Sequence, residues 1–188
     1  MVLEQYYIEC LSHASYLIGD ESSGRAIVVD PRRDITDYLA DAQRYGLTIE
    51  GVINTHFHAD FVSGHLELVE ATGAWIGFGE AAETDYPIRR LADGEHLSLG
   101  QVDLEILSTP GHTWESISVL VRERPDAVPT AVLTGDSLFI AFDPTRVRTA
   151  SPVIDCASRW NTTSHCLFAQ CCHAPSTAPG RCGRTGAT

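Results

Sequence analysis

The chain has 188 residues, of which 44% are hydrophobic and 20% charged, a balance typical of a globular domain able to build its own core. Its formal net charge of −12 would repel a phosphate backbone, so we expect no nucleic-acid partner, and no apolar run is long enough to span a bilayer. The N-terminus, MVLEQYYIEC, carries acids where a secretory signal carries positive charge. We therefore expect a cytoplasmic protein that acts on a small molecule.

The composition changes near Ile140. Residues 1–140 contain 23 of the 25 acidic residues and one of the six cysteines, whereas residues 141–188 contain five cysteines and a net excess of arginine. This asymmetry predicts a folded domain over residues 1–140 and a divergent, Cys-rich tail over residues 141–188.

Strand-like and helix-like segments alternate through the first part, a pattern typical of an α/β fold. The first predicted strands cover residues 5–10, 14–18 and 26–29. A helical spacing of apolar residues then begins at the candidate cap Asp34 and stops at Gly46.

The apolar residues 51–53 predict a buried strand that enters a histidine-containing loop, and helical spacing resumes over residues 64–71. Further strands are predicted at 74–78, 95–99, 102–107, 116–121 and 131–133. The later strands end in polar loops, and layered α/β folds assemble their sites in such loops.

The loop after residues 51–53 contains His56, His58 and Asp60. Two imidazoles two residues apart can reach one ion when the backbone turns, whereas a helix would separate them. The alternative is that these are ordinary surface or core histidines, but the accompanying Asp and the strand-to-helix context favour a metal site.

Two more candidate ligands follow later strands. His112 comes after a Pro-Gly turn, and Asp136 comes after the strand at 131–133. Each is weak alone, because a Pro-Gly-His turn is usually only a loop and a carboxylate in this position often caps a helix. Both become better candidates for metal ligands because the loop with His56, His58 and Asp60 is present in the same chain.

The ordered motifs THFHAD, PGHT and TGD resemble those of the metallo-β-lactamase superfamily. The longer string THFHADFVSGHLELVEATGA, with CLSHASYLIGD before it and GDSLFI after it, resembles the persulfide dioxygenases and their rhodanese-fused relatives, which neighbour the glyoxalase II thioesterases. The resemblance covers about residues 3–140 and implies an αββα sandwich.

Dinuclear hydrolases of that superfamily read HxHxDH in the first loop, where the final His serves a second zinc. Phe61 stands in that place here and cannot bind a metal, so a two-zinc centre is disfavoured. The remaining His56, His112 and Asp136 suit non-haem Fe(II), and the resemblance points to the same three residues. His58 is expected to contact substrate or oxygen, or to be a fourth ligand if the metal is Zn²⁺, and Asp60 is expected to orient a ligand.

The resemblance implies a mononuclear iron dioxygenase that oxidises glutathione persulfide-like substrates to sulfite. The first alternative is a zinc-dependent thioester hydrolase of glyoxalase II type. A second is an inactive remnant, because the sequence after Ile140 lacks the family's later motifs and leaves the second half of the fold incomplete or divergent. A homodimer could cover surface exposed by that loss.

The tail has no steady period and few core candidates, so we expect poor order there. A shifted reading frame or decayed copy is favoured over real divergence. A small metal site built by His165, Cys166, Cys171, Cys172 and His173 is disfavoured because no CxxC spacing occurs.

Several other residues are expected to be structural or part of a pocket wall. His13, His65 and His96 are assigned to packing or the surface, and Trp75 and Trp114 to the core or a pocket wall. Arg89 and Arg90 are placed in a solvated loop, with recognition of a glutathione carboxylate as the alternative.

Overall fold

The computed structural model describes residues 1–11 and 13–137 as two β-sheets packed face to face. The predicted tail, residues 141–188, and its cysteines lie outside these residues. Within the described part, no helix combines the length and apolar character needed to cross a membrane.

The first sheet has six strands in sequential order. Its first three strands are antiparallel, and its last four run parallel to one another. The strands are β1 (Val2–Ile8), β2 (His13–Asp20), β3 (Arg25–Val29), β4 (Thr48–Ile53), β5 (Trp75–Gly79) and β6 (Arg89–Leu91).

Two helices cover the outer face of this sheet, each connecting parallel strands. Helix α1 (Thr36–Tyr45) lies between β3 and β4, and helix α2 (His65–Thr72) lies between β4 and β5. Both helices end at a glycine in the left-handed conformation, Gly46 and Gly73.

The second sheet is antiparallel in the order β10-β9-β8-β7. Its strands are β7 (His96–Ser98), β8 (Asp103–Ser108), β9 (Ile117–Arg122) and β10 (Ala131–Leu133). Short 3-10 turns cover Glu9–Leu11 and Gly135–Ser137. The α/β prediction is therefore confirmed.

Side-chain alternation explains why the first sheet is apolar on both faces. On β3, Ile27 and Val29 join the core between the two sheets, while Ala26 and Val28 join the core beneath the helices. A strand buried on both faces needs a continuous apolar run, which is how this strand was recognisable.

Strand β6 was not predicted: Arg89 and Arg90 are exposed, as expected, but they lie in this strand and not in a loop. Arg89 pairs with Glu95 at 2.7 Å and lies over the Trp75 ring, and Arg90 donates to the carbonyl oxygens of Glu80 and Ala82. A short edge strand tolerates charged side chains because its outer side faces water, so its sequence carries little apolar signal.

Asp20, which is 4% exposed, joins the two sheets at the end opposite the histidine loops. Its carboxylate accepts hydrogen bonds from Ser22 and, in the turn between β7 and β8, from the amides of Gln101 and Val102. Burial by itself would raise the pKa of Asp20, but these hydrogen bonds outweigh it and lower the pKa to about 2.

We predict that Asp20→Asn lowers the free energy of unfolding at pH 7 by about 1–2 kcal/mol. The folded-state pKa lies below the unfolded value of about 3.9, so the contribution is complete above about pH 4 and is lost as the pH falls towards 2. Thermal unfolding between pH 2 and 7 should therefore show the two proteins converging at the acid end. The exposed Asp85→Asn is the control, and a constant difference at all pH values would contradict the assignment.

Candidate metal centre

The loop after β4 is tied back at both ends. The Asn54 amide donates to the carbonyl oxygen of Gly77 at 3.0 Å, and the Asn54 side-chain oxygen accepts from the Ser63 hydroxyl at 2.8 Å. These bonds close residues 54–63 into a compact loop that starts inside the sheet. The histidines therefore leave a fixed support, as expected for functional residues at a strand end.

Asp30 follows β3 and lies beside this loop with its side chain buried. Its backbone has φ +50°, an uncommon conformation for a non-glycine residue. One carboxylate oxygen accepts from the Thr55 amide at 2.7 Å, and the other accepts from the Thr55 hydroxyl at 2.8 Å. A buried charge needs such donors, and Thr55 provides two of them.

Thr55 also contacts His56, whose Nδ1 lies 2.9 Å from the Thr55 hydroxyl oxygen. Because that hydroxyl donates its only proton to Asp30, it accepts from Nδ1–H of His56. The Nε2 atom is then the nitrogen without a proton, which is the form that binds a metal. Burial, followed by the neighbouring His58, lowers the pKa of His56 and keeps its ring neutral.

His58 turns its Nε2 to Asp30, at 2.9 Å, and both side chains are buried. Burial would lower the pKa of His58, but the Asp30 carboxylate outweighs it and raises that pKa. Nδ1 of His58 is the nitrogen left to face a metal or a substrate. Its role as a fourth ligand or substrate contact stays a prediction.

His112 lies in the loop between β8 and β9. The Thr109 amide donates to Ser116 at 2.8 Å, and the Gly111 amide donates to Thr113 at 3.0 Å. The loop is therefore braced by its own backbone on both sides of His112. The His112 side chain is 38% exposed, so one face of it is open to solvent.

Asp136 lies in the 3-10 turn after β10. The preceding Gly135 has φ +49°, and a Cβ there would lie 2.2 Å from the Thr55 hydroxyl oxygen. Only glycine permits this approach of the β10 loop to the β4 loop. The next residue, Ser137, donates to Thr109 at 3.3 Å and links the two loops of the second sheet.

The structure brings His56, His112 and Asp136 together. One donor atom from each lies within 4.8 Å of the others, and Nε2 of His112 and of His56 lie 3.5 and 3.8 Å from Oδ2 of Asp136. Metal–ligand bonds of about 2.0–2.2 Å require donor separations of this size. Two imidazoles and one carboxylate, with an open side towards solvent, therefore fit a transition metal ion.

Asp60 is exposed and is not part of this group, and within residues 1–11 and 13–137 it forms no hydrogen bond through its carboxylate. Its predicted orienting role stays a prediction. Phe61 packs its ring 4.0 Å from that of His13 and 4.4 Å from that of His58. An aromatic hydrocarbon therefore lies beside the centre where the dinuclear pattern has an imidazole.

Asp30, Thr55 and Glu115 are site residues that the sequence analysis missed. Glu115 is 8% exposed, and its carboxylate accepts from the Phe57 amide at 2.8 Å. Asp30 had a signal similar to that of Asp136, because it directly follows an apolar strand and Asp136 lies three positions after one. Nothing in the sequence around Glu115 indicates a partner 58 positions away.

Other histidines and tryptophans lie outside the metal-ligand group. His65 hydrogen-bonds the Tyr86 hydroxyl at 2.9 Å, and Nδ1 of His96 hydrogen-bonds the Asp103 carboxylate at 2.8 Å. His13 is buried, and neither of its ring nitrogens has a partner in the part of the chain that the structure describes. Trp114 is 82% exposed and therefore does not belong to the core.

Comparison with known proteins places these features in context. A family model described as the metallo-beta-lactamase superfamily matches residues 8–163, and so extends beyond Ile140. A hydroxyacylglutathione hydrolase of Hyphomonas neptunium is 34% identical over 143 residues, which are 74% of this chain and 53% of the relative. The chain thus spans about half the length of the curated relative it matches.

Two solved structures are similar over the same share of the chain. A metallo-beta-lactamase from Staphylococcus aureus subsp. aureus COL superimposes with a TM-score of 0.69 and 37% identity, covering 74% of this chain and 44% of the other. ETHE1 from Myxococcus xanthus gives a TM-score of 0.65 and 31% identity, covering 74% and 59%.

We predict that Thr55→Val weakens metal binding by about tenfold, because the Nδ1–H of His56 and one oxygen of Asp30 lose the hydroxyl that joins them. Thr55→Ser retains the hydroxyl and is expected to bind like the wild type. Competition with a chromophoric chelator measures both affinities. Equal affinities for the Val and Ser variants would contradict an orienting role for the hydroxyl.

Proposed function

The chain belongs to the metallo-beta-lactamase superfamily, and we propose that it is a metal-dependent enzyme acting on a glutathione-linked sulfur compound. The observation that carries this proposal is the convergence of donor atoms from His56, His112 and Asp136 within 4.8 Å. In this proposal those three residues hold the ion, and the half-exposed His112 and Asp136 leave its outer side open to substrate.

A single ion is supported by two features of the first loop. His58 is hydrogen-bonded to Asp30 through Nε2, and Phe61 fills the space beside it with a ring that has no donor atom. In the part of the chain described by the structure, no second group of metal-ligating side chains comes together. The site is therefore proposed to be mononuclear.

Hydrolysis of a glutathione thioester is the first candidate reaction. Its support is the similarity to relatives named hydroxyacylglutathione hydrolase. A zinc ion would supply a Lewis acid for the thioester carbonyl and would lower the pKa of a bound water. The chain would orient His56 through Thr55 and Asp30, and the paired His58 would offer Nδ1 for a proton or a substrate hydrogen bond.

Oxidation of a glutathione persulfide is the second candidate, favoured by the missing second-site imidazole. The two-histidine, one-carboxylate set also suits Fe(II), which would supply the redox chemistry with O2. Similarity to ETHE1 from Myxococcus xanthus, together with the resemblance of the sequence motifs to the persulfide dioxygenases, supports this reaction. For this reaction the chain would hold a sulfur anion beside the partly exposed His112, while the partly buried Phe61 and the buried His13 would limit the access of water from the other side.

We expect the full chain, purified without oxygen, to contain one equivalent of metal. Zinc with cleavage of a hydroxyacylglutathione thioester supports the first reaction, and iron with oxygen uptake on addition of glutathione persulfide supports the second. Metal analysis and the two rate assays on the same sample separate them. A protein that binds no metal, or binds it without either activity, would instead match the inactive remnant.

His112→Ala should abolish stoichiometric metal binding and reduce either activity at least about a hundredfold. The two ligands that remain, His56 and Asp136, are too few to hold the ion in place. His96→Ala is the matched control, since His96 pairs with Asp103 on the outside of the second sheet. Metal content and reaction rate are compared between samples whose circular dichroism spectra show the same folded content. Retained metal in the His112 variant would contradict the assignment.

A further inference from the structure

Glu115 connects the two loops that carry the histidines, although it is not itself in the metal-ligand group. It follows His112 by three residues, and its carboxylate accepts the Phe57 amide hydrogen at 2.8 Å. Phe57 is the residue between His56 and His58. The bond therefore runs from the second-sheet loop to the middle of the first-sheet histidine motif.

A second hydrogen bond lies on the other side of His56. The Ile117 amide donates to the carbonyl oxygen of Thr55 at 2.8 Å. The residues before and after His56 are thus each bonded to the segment 115–117. His56 is bracketed by two contacts, one from a strand backbone and one from the Glu115 side chain.

The backbone of Glu115 is held in place by its packing against the end of β5. A Cβ on Gly79 would lie 2.1 Å from the Glu115 carbonyl oxygen, so the end of β5 presses directly on its backbone. Its acceptor is also ionised: burial would raise the pKa of the Glu115 carboxyl, but the hydrogen bonds led by that of Phe57 lower it. A charged acceptor makes a stronger bond to an amide than a neutral one.

Phe57 is fixed at its ring as well as its amide. The ring packs on Phe78 with centroids 4.9 Å apart, while 38% of the residue is exposed. Loss of the Glu115 bond would leave the Phe57 ring packed on Phe78 but would free the amide that lies between the two histidines, so we expect the main effect to fall on ligand placement.

We propose that Glu115 is a positioning residue that sets the separation between His56 and His112 through its hydrogen bond to the Phe57 amide. The inference rests on the proposed metal centre. Outer residues that orient metal ligands typically change metal affinity by about 10–100-fold when removed. Glu115 should affect the affinity and geometry of the site more than the stability of the fold.

Two variants separate hydrogen bonding from charge. Glu115→Gln removes the charge but keeps an acceptor oxygen at the same reach, whereas Glu115→Asp keeps the charge but is one methylene too short to reach Phe57. We expect the Gln variant to bind Co²⁺ within about threefold of wild type, and the Asp variant to bind at least about tenfold more weakly with an altered visible absorption spectrum.

The measurements are Co²⁺ titration of the full metal-free chain, the cobalt spectrum, and thermal unfolding without metal. Glu70→Gln, an exposed glutamate on α2, is the control. An Asp variant that matches wild type in affinity and spectrum would overturn the proposal. A Gln variant as weak as the Asp variant would also overturn it, because an acceptor oxygen within reach of the Phe57 amide would then not be enough to hold the ligands in place. Failure of the wild type to bind cobalt would refute the metal centre itself, a different result.

Discussion

The buried Asp30 carboxylate is the interaction on which the candidate site depends. A charge in this position is stable only if its oxygens are hydrogen-bonded, and Thr55 and His58 supply all three donors. The same bonds fix the Thr55 hydroxyl, and through it the tautomer of His56. The Asp30 carboxylate thus determines that Nε2 of His56 is the nitrogen free to bind a metal. It also engages Nε2 of His58, so that nitrogen is not free to do so.

The second determinant is that the site is divided between two sheets. His56 belongs to the first sheet, and His112 and Asp136 belong to the second. The loops meet because a glycine at position 135 allows a close approach to Thr55, and because segment 115–117 is bonded to both sides of His56. The geometry of the ligands is therefore a property of sheet packing as much as of the loops.

Much of this arrangement could be predicted from the sequence, for a physical reason. A strand buried on both faces must be apolar throughout, so the histidines that follow residues 51–53 were conspicuous. A Pro-Gly turn and a glycine after later strands then marked His112 and Asp136. Asp30 was missed although it directly follows an apolar strand, and Glu115 was missed because nothing around it in the sequence indicates a partner 58 positions away. Strand β6 escaped because an edge strand can carry Arg89 and Arg90. The dioxygenase prediction, which the resemblance implied and Phe61 favoured, is not confirmed, and the relatives named hydroxyacylglutathione hydrolase support the hydrolase alternative better.

The division of the candidate ligands between sheets would also link a bound ion to folding. His56 and Asp136 are 80 positions apart, so the proposed coordination sphere would form only after the two sheets have docked. An ion that binds the native chain alone adds RT ln(1 + [M]/Kd) to its stability, about 4 kcal/mol at a free concentration a thousand times Kd. Metal supply in the cell would then govern how much of this chain survives as native protein, quite apart from any turnover.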